Sequence, residues 1–185
     1  MKKIFYLFFI IFLLFNPVFA ATEKQFLTPD ILRNEKQFIE ENENIKKCRN
    51  ALFSQNFEYK INIDKFKKYF ISPNKNKLKF IIYYSDGSYK WLRLFKNYDF
   101  IYSKDGYLKY IEFCGYIKEF GYSSFFYNKN GVLTYLIIQL NQKENRKEFY
   151  CFDKNKNFLG IVDDYKFYNK TGDIIFEKKD FKPFN

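Results

Sequence analysis

Histidine is absent from all 185 residues. Its absence removes the commonest general base, the usual activator of serine and cysteine nucleophiles, and the commonest transition-metal ligand. Arginine is scarce as well: Arg33, Arg49, Arg93 and Arg146 are the only four among 32 basic residues. Bidentate phosphate reading leans on arginine, so the formal net charge of +11 does not point to nucleic acid. The surplus of Lys, Asn, Ile, Phe and Tyr matches the residue usage of an AT-rich genome. Only three cysteines occur, Cys48, Cys114 and Cys151. They have no C-x-x-C spacing for zinc or redox work, and in an oxidising compartment they allow one disulfide with an unspecified pairing. No P-loop, G-x-G-x-x-G or G-x-S-x-G is present. The carboxylate pair Asp163-Asp164 is unsuited to a shared site in a strand, where neighbours point to opposite faces.

Aromatics, by contrast, make up 24% of the chain. The amino terminus, "MKKIFYLFFIIFLLFNPVFAAT", has a charged start, an apolar run from Ile4 to Phe15, a break at Asn16-Pro17 and small residues at Val18 and Ala20. That pattern predicts a signal peptide over 1–20, cleaved after Ala20. The run falls short of the roughly 20 residues needed to span a bilayer. The expectation is therefore a single exported domain over 21–185, periplasmic or secreted, with no transmembrane span after cleavage.

Within that domain, residues 28–53 read as one amphipathic helix. Thr28 can cap it, Pro29 suits the first turn, and Ile31, Phe38, Ile45 and Leu52 recur every seven residues with Leu32, Ile39 and Cys48 beside them. Hairpin signals fill about 57–180. Many of these runs, such as Val132 to Leu140, are apolar on both faces, so both need cover: one in part from the helix, the other from curling of the sheet, another subunit or a ligand. The predicted class is α+β, an N-terminal amphipathic helix followed by an antiparallel β-meander of hairpins. An outer-membrane barrel is disfavoured by the lysines of "FEKKDFKPFN" at 176–185 and by Pro183.

Four segments align without gaps: "IYSKDGYLKYIE" (101–112), "FYNKNGVLTYLI" (126–137), "CFDKNKNFLGIV" (151–162) and "FYNKTGDIIFEK" (167–178). Each has an aromatic residue, then Ser, Asn or Asp, then Lys104, Lys129, Lys154 or Lys170. Gly106, Gly131 and Gly172 close three of the turns, and Lys156 stands in the fourth. A type I turn followed by a residue of positive φ explains this order. A shorter version, "FIIYYSDGSYKWLRLF" (80–95), carries Asp86-Gly87, so Gly87 joins the turn glycines. The stretch 153–164 places acidic and amide residues like a calcium loop, but Phe158 stands where that loop needs glycine, and no metal or other cofactor is expected.

The aromatic-x-Lys-x-Gly-x-Leu pattern resembles the hairpin repeats of YD/Rhs-type proteins and of MORN-like, antitoxin-type repeats. The resemblance implies a shell, scaffold or interaction surface rather than a catalytic centre, although four copies are too few for a closed shell. The expected function is a non-catalytic interaction module of the cell envelope, of inhibitor or immunity type among others. Its partner would be an envelope protein or an anionic envelope polymer. The mid-strand aromatics Trp91, Tyr110 and Tyr135 are the candidate contacts. The alternative is a small envelope hydrolase built on a carboxylate or Tyr/Lys site.

Overall fold

The computed structural model describes residues 27–35, 39, 42–54, 58–93, 97–117, 120–141, 147–163 and 165–182. Residues 1–20, over which a signal peptide is expected, and Phe38, Asp164 and Pro183 lie outside them. Among the described residues, the helices α1 (Pro29–Asn34) and α2 (Glu43–Phe53) and the 3-10 turns Ile63–Tyr69 and Lys75–Lys77 precede ten strands. The strands are β1 (Ile81–Tyr84), β2 (Tyr89–Trp91), β3 (Tyr98–Tyr102), β4 (Leu108–Ile117) and β5 (Gly121–Asn128), then β6 (Leu133–Asn141), β7 (Lys147–Asp153), β8 (Phe158–Asp163), β9 (Lys166–Asn169) and β10 (Ile174–Lys182).

Every strand pairs antiparallel with its sequence neighbour, and β1 pairs with β10, so the sheet closes into a barrel. This corrects the predicted α+β meander: the protein is mostly β, and the sheet has no open edge to guard. The repeats explain the closure. Their turns join β3 to β4, β5 to β6, β7 to β8 and β9 to β10, and the shorter 80–95 copy joins β1 to β2. These five hairpins supply all ten strands of the closed ring. The lysines of 176–182 do not prevent β10 from forming. Its outward Ile175 and Lys179 stand in water, while Phe176 and Lys178 turn into the barrel.

The aligned turns share one hydrogen-bond pattern. The N–H groups of Gly106, Gly131, Lys156 and Gly172 donate to the carbonyls of Ser103, Asn128, Asp153 and Asn169 at 2.8–2.9 Å. Asn128, Asp153 and Asn169 also accept from two later backbone N–H groups through one side-chain oxygen, the Asx-turn role of these residues. The closing position has positive φ whether glycine fills it (86°, 76° and 80° at Gly106, Gly131 and Gly172) or Lys156 does (68°).

The helical expectation is corrected too. The helix is interrupted at Glu35, and Asn42 starts a new one by accepting from the N–H groups of Asn44 and Ile45 at 3.0 and 3.1 Å. An asparagine bonded this way is a strong N-cap, and it outweighs the seven-residue periodicity. Nor do strands begin near residue 57. Residues 58–80 carry the 3-10 turns and two isolated bridges, Lys60 to Val132 and Ile71 to Tyr107.

This N-terminal stretch covers the outer face of the wall. Leu32, Ile45, Cys48 and Leu52 are fully buried in one cluster with outward-facing Tyr89, Phe100, Ile111, Leu136, Ile138, Tyr150 and Phe152. Each such aliphatic side chain stabilises by about 1.5–3 kcal/mol. Phe66 and Tyr69 pack on Phe100, with ring centroids 6.0 and 4.4 Å away. The main hydrophobic core therefore lies outside the barrel. The strands are apolar on both faces because the outer face meets the chain's own N-terminal segment and the inner face meets a cavity.

The stretch also grips the repeat turns. Ile61 donates its N–H to the Gly131 carbonyl at 2.9 Å, and a Cβ at Gly131 would stand 2.6 Å from the Ile61 carbonyl oxygen. Gly131→Ala should cost about 2–4 kcal/mol, combining left-handed strain with the loosened contact. Chemical denaturation would measure it, and a loss below about 1 kcal/mol would rule out this clamp.

Candidate binding site

Alternation along the strands sends Ile82, Tyr84, Lys90, Ile101, Glu112 and their register partners into the barrel. They line a cavity of about 670 Å³, within the range of small-molecule sites. Exposed Asp86, Lys109, Asp163 and Tyr165 mark where it meets solvent.

Two aromatic groups face one another across the lumen. Phe126 and Tyr135 stack at 4.3 Å on β5 and β6, with Tyr110 of β4 edge-on at 5.3 Å. Half a barrel away in the strand order, Phe167 and Phe176 stack at 5.2 Å on β9 and β10, with Tyr84 of β1 edge-on to Phe176 at 5.6 Å. Between them, one arc of the wall is aliphatic and aromatic, with Ile137, Phe149 and Val162.

The other arc is charged. Register sets Asp99 of β3 directly opposite Glu112 of β4. Two facing carboxylates repel, and Lys90 of β2 resolves the conflict. Its ammonium forms a close ion pair with Glu112 and lies 3.5 Å from Asp99. Ser124 donates to the second oxygen of Glu112 at 2.7 Å, and the Arg93 N–H donates to Asp99 at 2.7 Å. The side chains of Lys90, Asp99 and Glu112 are 14%, 14% and 6% exposed. Burial pulls Lys90 toward the neutral amine, but Glu112, Tyr84 and Asp99 outweigh it and hold the ammonium above the usual lysine range. Asp99 is raised by burial in spite of Lys90. The geometry agrees with that ranking, since Glu112 holds the closer partner. Burial also pushes the Tyr84 phenol up to about 12. At the mouth, Lys109 meets Asp86 at 2.9 Å.

Of the residues singled out from sequence, Tyr110 and Tyr135 line the cavity. Trp91 does not join them: it is on the outer face, 6.0 Å from Tyr69 and 6.2 Å from Phe100. All three cysteines are unbridged, with Cys48 in the outer core and Cys114 and Cys151 on inward-facing register positions. Asp163 reaches the cavity mouth. In the calcium-like stretch, the Asp153 carboxylate is occupied by its own turn. Among the described residues, no cluster of three or more His, Cys, Asp or Glu is arranged to hold a metal. Likewise, no helix among them is long and apolar enough to cross a membrane.

The ionic group Lys90–Asp99–Glu112 was missed from sequence. The available signal was a charge set among aromatic and branched residues, Lys90 in "YKWLRLF" and Glu112 in "YLKYIEF". What the fold and cavity define is an up-and-down β-barrel with a ligand-sized lumen. Compared with protein-family models, curated proteins and solved structures, the chain matches none.

Proposed function

We propose that this is an exported, non-catalytic binding protein whose ligand is a small, flat, largely apolar molecule held inside the barrel. The pair of facing aromatic groups in a 670 Å³ cavity carries this reading. Flat rings gain most from stacked and edge-on aromatic neighbours, and a pocket of this kind buries most of a small ligand's surface. The charged arc would orient a polar edge of that ligand. A protein partner docking on Trp91, Tyr110 and Tyr135 together fits less well, because these side chains lie on opposite faces of the wall.

The hydrolase alternative would draw on Tyr84, Lys90 and Glu112. Both Tyr84 and Lys90 hold their protons more tightly than usual, and a protonated phenol and ammonium cannot serve as base or nucleophile at neutral pH. The group is better suited to ordering the lumen.

Native mass spectrometry of protein incubated with an extract of small molecules from its own host tests the proposal. A single bound compound of small-molecule mass is expected. Ile137→Trp, which fills the lumen from mid-strand, should weaken its retention at least tenfold while the melting temperature stays close to that of the parent. Unchanged retention by the folded Ile137→Trp protein, or no retained compound at all, would overturn the lumen as the binding site.

A further inference from the structure

An up-and-down barrel with five hairpins puts all five hairpin turns at one end. The aligned lysines Lys104, Lys129, Lys154 and Lys170 therefore share one rim, and all four are exposed. Turn chemistry calls for the Asx residue before them and the positive-φ residue after them, but not for lysine between. Lys75 joins the rim by donating to the Lys104 carbonyl at 3.0 Å, as does Lys60 through its bridge to Val132. These six lysines outnumber the five rim carboxylates Glu58, Asp105, Asp153, Asp173 and Glu177, and Asp30 beside the Gly172 turn is matched by Arg33. Asp86 is matched by Lys109.

A second observation falls on the same end. Eight large hydrophobic side chains are exposed among the described residues, and six of them sit at this rim. Tyr107 follows Gly106 and bridges Ile71, and these two are 64% and 69% exposed. Ile174 and Ile175 follow the β9–β10 turn. The Tyr59 carbonyl accepts from Leu133, just past Gly131, and the Phe53 ring lies 4.0 Å from the Lys156 ammonium. Of the eight, only Tyr116 and Tyr165 are elsewhere.

Lysines interleaved with exposed aromatic and aliphatic side chains are what the boundary of an anionic bilayer selects. The ammonium groups meet lipid phosphates, and the apolar groups enter the headgroup boundary. A soluble polyanion would use the lysines and leave the apolar groups idle. We infer that the turn-bearing end of the barrel is a docking surface for a membrane rich in anionic phospholipid. This holds whatever the lumen binds, and it requires no membrane-spanning segment.

Vesicle flotation with the mature chain tests it. Vesicles of phosphatidylcholine mixed with phosphatidylglycerol should carry the protein, and vesicles of phosphatidylcholine alone should carry much less. Raising salt from about 0.05 M to about 0.5 M should release most of it, because screening then acts within a few ångströms. Replacing all four aligned lysines with glutamine should weaken binding more than about 100-fold, at about fivefold per lysine. The matching four arginine substitutions should preserve it and show that the turns still fold. Tyr107→Ser with Ile71→Ser should weaken vesicle binding about tenfold or more. Flotation of the folded glutamine variant like the parent would overturn the docking surface. So would serine variants that keep full vesicle affinity while the parent binds heparin equally well, an outcome that assigns the rim to a soluble polyanion.

Discussion

Lys90→Met should destabilise the protein by about 3–5 kcal/mol, the cost of leaving buried carboxylates without their cation. Asp99 and Glu112 face one another in register, and Lys90 pairs with both, whereas the Lys178 ammonium of the lining lies over the Tyr165 ring at 4.5 Å. Lys109 is at the mouth with Asp86. Methionine keeps much of the volume of lysine, so a large loss would come from charge rather than from a void. A double change, Lys90→Met with Glu112→Gln, should recover part of the loss, and a coupling energy in the double-mutant cycle would measure the pair. A loss below about 1 kcal/mol for Lys90→Met would mean that water already reaches and screens these carboxylates.

The pH dependence of the same group has a definite sign. Lys90 binds its proton more tightly in the fold than in the unfolded chain. Its contribution is therefore fully present below about pH 10.5 and is lost as pH rises through its folded value. Tyr84, raised from 10.0 to about 12, acts in the same direction over the window between those values. The parent protein should thus hold level stability toward pH 10 and lose it above. Asp99 behaves oppositely to a salt-bridged surface carboxylate: burial raises it, so its protonation favours the fold as pH falls. Removing Lys90 takes away the main group that lowers it. The Lys90→Met protein should therefore regain stability on acidification to an extent the parent does not, as thermal melts across pH would reveal.

What the sequence made legible was local. Ser103, Asn128 and Asn169, each followed three positions later by glycine, announced the hairpin turns, and the lysine at 156 stood where the others have glycine, with the same positive φ. Interactions confined to six consecutive residues need no knowledge of the rest of the chain. The Asn42 cap was equally local, but the recurrence of apolar residues across it concealed the break. Closure was not legible, since it depends on β1 meeting β10, whose paired residues run from Tyr84 with Lys178 to Ile81 with Lys182, at opposite ends of the strand region. The partial cover of Trp91 on the outer face was hidden for the same reason: it comes from Tyr69, in a stretch whose aromatic and branched residues resemble a strand. The ionic group combines both difficulties. Lys90, Asp99 and Glu112 come together only through two strand registers, and a shift of one residue in either would turn a charge outward.

Gly160→Ala should be at least as damaging as loss of Lys90, for a wholly steric reason. Gly160 lies on β8 between Cys151 of β7 and Asn169 of β9. Its φ of 153° is one that residues with side chains rarely adopt. A Cβ there would lie 1.9 Å from the Tyr168 carbonyl oxygen and 2.9 Å from the Asn169 Cα. Both are backbone atoms of the neighbouring strand, so no side chain can swing aside. Relief requires β9 to move, and β9 is only four residues long. It is nevertheless the sole link between β8 and β10 in the ring. Strain of about 1–3 kcal/mol thus adds to overpacking of about 1–3 kcal/mol beside a short strand of the closing wall, and a Cβ only 1.9 Å from a backbone oxygen belongs at the upper end of both, so a loss of about 4 kcal/mol or more is expected. Gly121 supplies the control. It too has positive φ, at 83°, but a Cβ there meets nothing within 4 Å, so Gly121→Ala should cost only about 1–2 kcal/mol. If denaturation curves give equal losses for the two alanines, the close approach of β8 to β9 is not a constraint on the fold. If Gly160→Ala is the more damaging and also exposes amides of β9 and β10 to hydrogen exchange first, the barrel opens at that seam.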